Sequence, residues 1–250
     1  MDRILDNKVA VVTGGGSGIG RAVSLLYAAA GAKVVVSDIN EDHGKETVRQ
    51  CEDAGGTASF LLADTSRAKD NEALVQAAQD RYGALHIACN NAGIGGAAAL
   101  VGDTPLEEWE RVIGVNLSGV FYGMRYQIPA MLAAGGGAIV NMGSILSQVA
   151  MREHAPYVAA KHGLMGLTRT AALEYAAKNI RINTVGPAFI RTPLLDNLPA
   201  EVFDALTGLH PIGRLGEANE VAELVLWLSS DKASFVNGGY YAVDGGYLSQ

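Results

Sequence analysis

The sequence predicts a single α/β domain, a doubly wound parallel sheet of about seven strands with helices on both faces. Three observations predict it. Short runs rich in Val and Ile alternate with helix-period stretches along the whole chain, the order that strand–helix–strand crossovers require. The strand runs are continuously apolar rather than alternating, which implies burial on both faces and hence a parallel sheet between helix layers. Glycine repeatedly follows a helix-period stretch, where it ends a helix in a left-handed conformation at no steric cost.

Taken in order, residues 8–12 form the first strand and 19–30 the first helix, closed by Gly31. The second strand is 33–37, and the second helix, 41–54, ends at Gly55-Gly56. Strand three is 57–63, followed by a helix over 68–82 closed by Gly83, and strand four is 85–89. Residues 105–133 carry one long helix or two short ones, and 138–142 are strand five. A helix runs from about 156 to 177, and strand six is 181–185. A late helix spans 217–229 and a last strand 240–243. Residues 188–216 are the one long stretch without clear strand character. With no internal repeat, low-complexity tract or linker, residues 1–250 read as one domain.

Composition narrows the partners. The 250 residues are 49% hydrophobic and 18% charged, ample for one large core. A net charge of −7, from 19 basic and 26 acidic side chains, repels nucleic acid and anionic membranes, so neither is an expected partner. Cys51 and Cys89 lie in no metal-ligand spacing and read as reduced apolar thiols. No cluster of His, Cys and carboxylates suggests a catalytic metal. The first residues lack an apolar signal core, and no run reaches the roughly 20 apolar residues of a membrane span, so a cytoplasmic protein is expected.

In a doubly wound sheet, ligands bind at the carboxyl ends of the strands. Strand one runs into Thr13-Gly14-Gly15-Gly16-Ser17-Gly18-Ile19-Gly20 and then a helix. Glycines let the backbone approach a pyrophosphate, and the helix N-terminus offers free N–H groups and a positive dipole end. Gly14, Ser17, Gly18 and Ile19 are therefore cofactor candidates. Asp38 ends strand two, with Ile39 next to it. A carboxylate there accepts from adenosine ribose hydroxyls and repels a 2′-phosphate, and no neighbour supplies positive charge, so NAD is expected over NADP. Asp38 also reads as a helix N-cap. Asp64 and Thr65 end strand three, and Asn90-Asn91-Ala92-Gly93 follows strand four. Both groups suit adenine and ribose, and each reads equally well as a turn.

Strand five ends at Asn141-Met142-Gly143-Ser144. On the next helix Tyr157 and Lys161 are four apart and point from one face. In this order and place, the set resembles the short-chain dehydrogenase/reductase family, a Rossmann-like fold, over nearly the whole chain. The matching parts are the 13–20 loop, Asp64, Asn90 to Gly93, Asn116, Ser144, Tyr157, Lys161 and the stretch 183–192. Within that family the resemblance is to bacterial NAD-dependent carbonyl reductases and secondary-alcohol dehydrogenases.

The resemblance implies hydride transfer between NAD(H) and a secondary alcohol or its ketone. Tyr157 is the implied general acid and base, and Lys161 lowers its pKa and holds the nicotinamide ribose. Ser144 donates to the substrate oxygen, and Asn116 holds a water of a proton relay. Pro187, Ile190 and Thr192 match positions around the carboxamide, and 188–216 is the implied substrate lid. One departure is Pro187-Ala188 where the family has Pro-Gly, which puts the local backbone in question. Leu194, Leu195, Leu198, Phe203, Leu206 and Leu209, with the small run 95–99, suggest an apolar substrate or a lid packed on itself. His154 borders the pocket or plays a structural part. Small residues on the 156 helix (Ala159, Ala160, Gly163 and Gly166), with the family's habit, imply a homotetramer. The competing readings are a sugar or polyol, hydroxysteroid or 3-oxoacyl carrier-protein enzyme of the same fold, and a cofactor-binding regulator without catalysis.

Overall fold

The computed structural model describes residues 3–192 and 199–250. Leu194, Leu195 and Leu198 of the expected apolar lid lie outside them. Among the described residues seven strands form one parallel sheet in the order β3-β2-β1-β4-β5-β6-β9. They are β1 Val9–Thr13, β2 Lys33–Asp38, β3 Thr57–Leu62, β4 Ile87–Asn90, β5 Gly137–Met142, β6 Ile180–Pro187 and β9 Tyr240–Val243. Two short strands, β7 Ile190–Arg191 and β8 Gly216–Glu217, pair separately. The helices are α1 Gly18–Ala29, α2 Glu41–Asp53, α3 Ala68–Tyr82, α4 Leu106–Ile113, α5 Gly119–Ala133, α6 Ala155–Tyr175, α7 Ala200–Gly208 and α8 Ala218–Ser229.

The continuous apolar runs are explained by two cores, one on each face of the sheet. Ala10 and Val12 of β1, Val34 and Val36 of β2, and Val140 and Met142 of β5 pack under α1 and α8. The residues between them, Val9, Val11, Val35 and Ile139, point to the other face, under α3, α5 and α6. A strand side chain alternates between faces, so a strand covered on both sides has no polar register. Each fully buried Val, Leu or Ile contributes roughly 1.5–3 kcal/mol. Cys51 and Cys89 are buried and unpaired.

Helix ends follow the glycine reading. Gly31, Gly55 and Gly83 all have positive φ (97°, 81° and 88°). At the start of α2 the capping residue is Asn40, whose side chain accepts from the His43 amide at 3.0 Å. Asp38 is therefore not the cap, and its carboxylate is left for other work. The 105–133 region is neither one regular helix nor two separate ones. α4 and α5 are joined by a π-helical segment, Gly114–Ser118, whose hydrogen bonds span one residue more than an α-helix's. Ala188 has no left-handed φ. The Ala in place of Gly is thus accommodated without strain, with its amide donating to Val243 O at 3.1 Å.

The sheet order reverses beside β1: β1 continues to β2 on one side and to β4 on the other. The loops after β1 and β4 diverge there into a crevice. Among the described residues no helix is long and apolar enough to cross a membrane.

Candidate active site

The crevice is built around the glycine loop after β1. Gly14 has φ 60°, and a Cβ there would meet Ala92 Cα at 2.9 Å. A Cβ on Gly20 would collide with the Gly14 carbonyl oxygen. Only glycine fits either place, so the loop presents bare backbone at the N-terminus of α1. Asn91 locks the β4 loop to it: its Nδ2 donates to Thr13 O and Gly14 O at 3.0 and 3.1 Å. Thr13 Oγ1 in turn accepts from the amides of Asn91 and Ala92 at 3.0 and 3.1 Å. The two loops are thereby locked into one cradle of bare backbone at a helix N-terminus, the chemistry that suits a pyrophosphate.

Asp38 stands at the far end of that cradle. Its Oδ2 accepts from the Gly16 amide and its Oδ1 from the Asn40 amide, both at 2.9 Å. Both oxygens are thereby aimed, and each keeps a lone pair. Ile39 beside it is 73% exposed, an apolar face with no protein cover. The Arg21 guanidinium is already engaged by Gly16 O and Thr47 Oγ1. Across the crevice, Asp64 Oδ1 accepts from the amide and hydroxyl of Ser66 at 2.9 and 2.7 Å. Thr65 is buried.

The catalytic candidates gather at the ends of β4 and β5. Ser144 follows β5, and its Oγ accepts from the Leu146 amide at 3.1 Å while its own amide donates to Ser147 Oγ at 3.2 Å. The Ser144 hydroxyl accepts one bond there and keeps its proton for donation. The Ser144 hydroxyl neighbours the Tyr157 phenol. Burial pushes the Tyr157 phenol above its ordinary value, and the neighbouring Ser144 hydroxyl opposes that rise. One turn on, Lys161 is 3% exposed. Its Nζ donates to Met142 O at 2.7 Å and lies 5.4 Å from the Tyr157 ring centroid. Burial pulls the ammonium down to about 8.

Asn116 sits in the π segment, fully buried. Its Oδ1 accepts from the Ile94 amide at 2.9 Å and its Nδ2 donates to Ile94 O at 2.8 Å. It therefore ties the helix to the loop after β4, beside Lys161: a Cβ on Gly93 would lie 3.2 Å from Asn116 Oδ1 and 3.7 Å from Lys161 Nζ. The small run 95–99 is brought to the mouth of the site, with Ala99 N donating to Glu153 O at 3.0 Å just before α6. His154 borders that junction as the residue capping α6, its Nδ1 bonded to Arg152 O at 2.7 Å. Pro187 ends β6 at the same edge. The Ile190 side chain is buried against Gly216. Thr192 is half-buried. Among the described residues no group of three His, Cys, Asp or Glu converges as metal ligands would.

Three supports escaped the sequence reading. Tyr240 of β9 donates to Ser144 O at 3.0 Å, Glu108 accepts from Ala97 N at 2.6 Å, and Ser147 completes a reciprocal capping box with Ser144. The Ser-x-x-Ser spacing signals the last of these. The other two bind backbone groups far away in sequence and leave no local pattern.

A family model described as "Enoyl-(Acyl carrier protein) reductase" matches residues 14–248. Cyclohexanol dehydrogenase of Acinetobacter sp. (strain SE19) is 51% identical over 251 residues, covering 100% of this chain and 98% of that protein. 2,5-Dichloro-2,5-cyclohexadiene-1,4-diol dehydrogenase of Sphingobium indicum (strain DSM 16412 / CCM 7286 / MTCC 6364 / B90A) is 42% identical, with 98% of each chain covered. Among solved structures, levodione reductase superposes with a TM-score of 0.94 at 34% identity, covering 98% of this chain and 99% of that one.

Proposed function

The chain belongs to the short-chain dehydrogenase/reductase family, and we propose that it interconverts an apolar, cyclic secondary alcohol and its ketone with NAD as the cofactor. The observation that carries this reading is the Ser144–Tyr157–Lys161 group, with Ser144 and Lys161 buried and Tyr157 half-buried, at the carboxyl edge of the sheet. Bound NAD supplies the hydride acceptor, or as NADH the donor, on the substrate carbon. The cradle residues Gly14, Ser17, Gly18 and Ile19 hold the pyrophosphate on the helix N-terminus. Asp38 accepts from the adenosine ribose hydroxyls, Ile39 packs on adenine, and Asp64 and Thr65 take the adenine edge. Asn91, Ala92 and Gly93 border the riboses, and Pro187, Ile190 and Thr192 meet the carboxamide.

In oxidation, Tyr157 accepts the hydroxyl proton as the carbon loses its hydride, and in reduction it returns that proton to the ketone oxygen. A phenol held high by burial is a poor base. The Lys161 ammonium, close by in a low-dielectric site, favours the phenolate and offsets the burial. Ser144, whose hydroxyl keeps a proton to donate, stabilises the charge that develops on the substrate oxygen. Asn116 holds the loop beside Lys161 and the water through which that lysine exchanges protons.

The ring-alcohol reading is supported by the names of the cyclohexanol and cyclohexadienediol relatives and by the small side chains of 95–99 at the mouth. Residues 188–216 form the lid over this substrate. A homotetramer is supported by Gly166 of α6, beside which a Cβ would meet nothing within 4 Å, and by Phe121 of α5, 49% exposed. The test is NAD⁺ reduction with cyclohexanol, linear alcohols and sugars, with NADP⁺ and Tyr157→Phe in parallel. Turnover of ring alcohols with NAD⁺, lost in the variant, is expected. Turnover of sugars alone, or a preference for NADP⁺, overturns the substrate or the cofactor assignment.

A further inference from the structure

The lid leaves the sheet after Pro187 and returns at Gly216. Its helix α7 has no fully buried residue among 201–209, so it gains little position from core packing. Its feet are pinned to each other: Ile190 pairs with Gly216, the Gly216 amide donates to Phe189 O at 3.1 Å, and Arg191 meets Glu217 at 3.4 Å. A third segment, 244–250, grips both feet. The rings of Phe189 (first foot), His210 (second foot) and Tyr247 form a closed triangle with centroids 5.8, 6.2 and 5.8 Å apart, all tilted or edge-on. Such edge contacts are favourable beyond the area they bury.

Hydrogen bonds follow the same route. Ile212 N donates to Gly245 O at 3.1 Å, and Gln250 Nε2 donates to Leu209 O at 2.9 Å. His210 is 3% exposed, and its Nδ1 donates to Leu206 O at 2.8 Å, which ties the ring to α7. The 244–250 segment is itself wound tight. The Asp244 carboxylate accepts from the amides of Gly246 and Leu248, both at 3.0 Å. Gly245 has φ 57°, and a Cβ there would meet Ile212 Cγ2 at 2.6 Å.

We propose that segment 244–250 is a brace that sets the angle of the lid, with His210 and Tyr247 as positioning residues for the substrate alcohol. The proposal rests on the reading of 188–216 as the lid. Neither ring touches Ser144, Tyr157 or Lys161, so the brace acts on where the alcohol sits and leaves the chemical step alone. Its two parts, rings and hydrogen bonds, join residues far apart in sequence at Phe189 on the first foot and at Leu209, His210 and Ile212 on the second.

The test compares Tyr247→Leu with Tyr247→Phe, because the contact uses the ring and not the hydroxyl. In Tyr247→Leu the KM for the alcohol rises about tenfold, while kcat and the KM for NAD⁺ stay within about twofold. Tyr247→Phe restores the wild-type KM. In parallel, amide hydrogen exchange of 200–216, measured without cofactor, accelerates in the leucine variant and not in the phenylalanine variant. An unchanged alcohol KM with unchanged exchange overturns the proposal, as does an equal loss in both variants or a common fall of kcat, both KM values and Tm. If the wild type turns over no alcohol, the functional reading fails, and the exchange measurement alone still judges the brace.

Discussion

Replacing Lys161 by methionine should make the protein more stable at neutral pH while abolishing its activity. Lys161 is buried, and burial lowers its pKa from 10.5 to about 8. At about 1.4 kcal/mol per pH unit, holding that ammonium inside costs the folded state roughly 3 kcal/mol. Methionine keeps the apolar stem and removes the charge. Against this stands the bond from Nζ to Met142 O, 2.7 Å long, whose loss leaves a carbonyl short of a donor and costs about 1–2 kcal/mol. The net gain is about 1–2 kcal/mol, or roughly 2–8 °C in Tm for a chain of this size.

The pH dependence gives the sharper check. Between about 8 and 10.5 the unfolded chain holds the lysine proton and the folded chain does not. The unfolded state then binds more protons, so wild-type stability rises with pH across that window. The variant lacks this rise, and by about pH 10 it should be the less stable of the two. Denaturant unfolding of both proteins without cofactor, at neutral pH and near pH 10, measures the difference. A variant less stable at neutral pH, or a difference that ignores pH, would falsify the idea that burial strains the lysine.

Further predictions follow from the same geometry. Ketone reduction needs the phenol proton and the ammonium, and oxidation needs the phenolate. The initial rate of reduction should therefore fall as pH climbs past about 8, where Lys161 loses its proton; a flat profile would contradict the role of Lys161. Asp38→Ala should move the ratio of kcat/KM for NAD⁺ over NADP⁺ toward NADP⁺ by about tenfold or more, since it removes the repulsion of a 2′-phosphate; an unchanged ratio would show that the carboxylate serves only the Gly16 and Asn40 amides. Asn116→Ala strips both hydrogen bonds from Ile94 and should lower stability by about 2–3 kcal/mol, with hydrogen exchange rising at 94–99; unfolding midpoints and exchange rates decide it.

Much of this was legible in the sequence, for physical reasons. A strand covered on both faces has to be apolar at every position, and Val9 to Val12 and Val34 to Val36 show this without any partner in view. A residue with positive φ after a helix is usually glycine, so Gly31 and Gly83 mark their helices. Tyr157 and Lys161 could be paired because four residues of helix bring them to one face. β7 and β8, two residues each, are too short to carry any periodicity. The Met142 carbonyl that holds Lys161 is backbone, which no residue type advertises. Tyr240 reaches Ser144 across 96 positions of chain, a contact that only the completed sheet creates. That Asn40 and not Asp38 caps α2 needed the three-dimensional position of Asn40.

The π segment between α4 and α5 has a bearing on how this protein tolerates change in length. Such a segment is an α-helix holding one residue too many. Deleting a single residue there would let the helix heal into regular geometry, and every side chain before the cut would turn by about 100° relative to those after it. Asn116 could then survive in the alignment, with its identity intact, and still face away from Ile94. Transplanting the visible Asn, Ser, Tyr and Lys onto a scaffold with an unbroken helix would carry over the letters without the register. For this family of sites, a gap or insertion between 106 and 133 is as informative to an engineer as a substitution at the reacting residues.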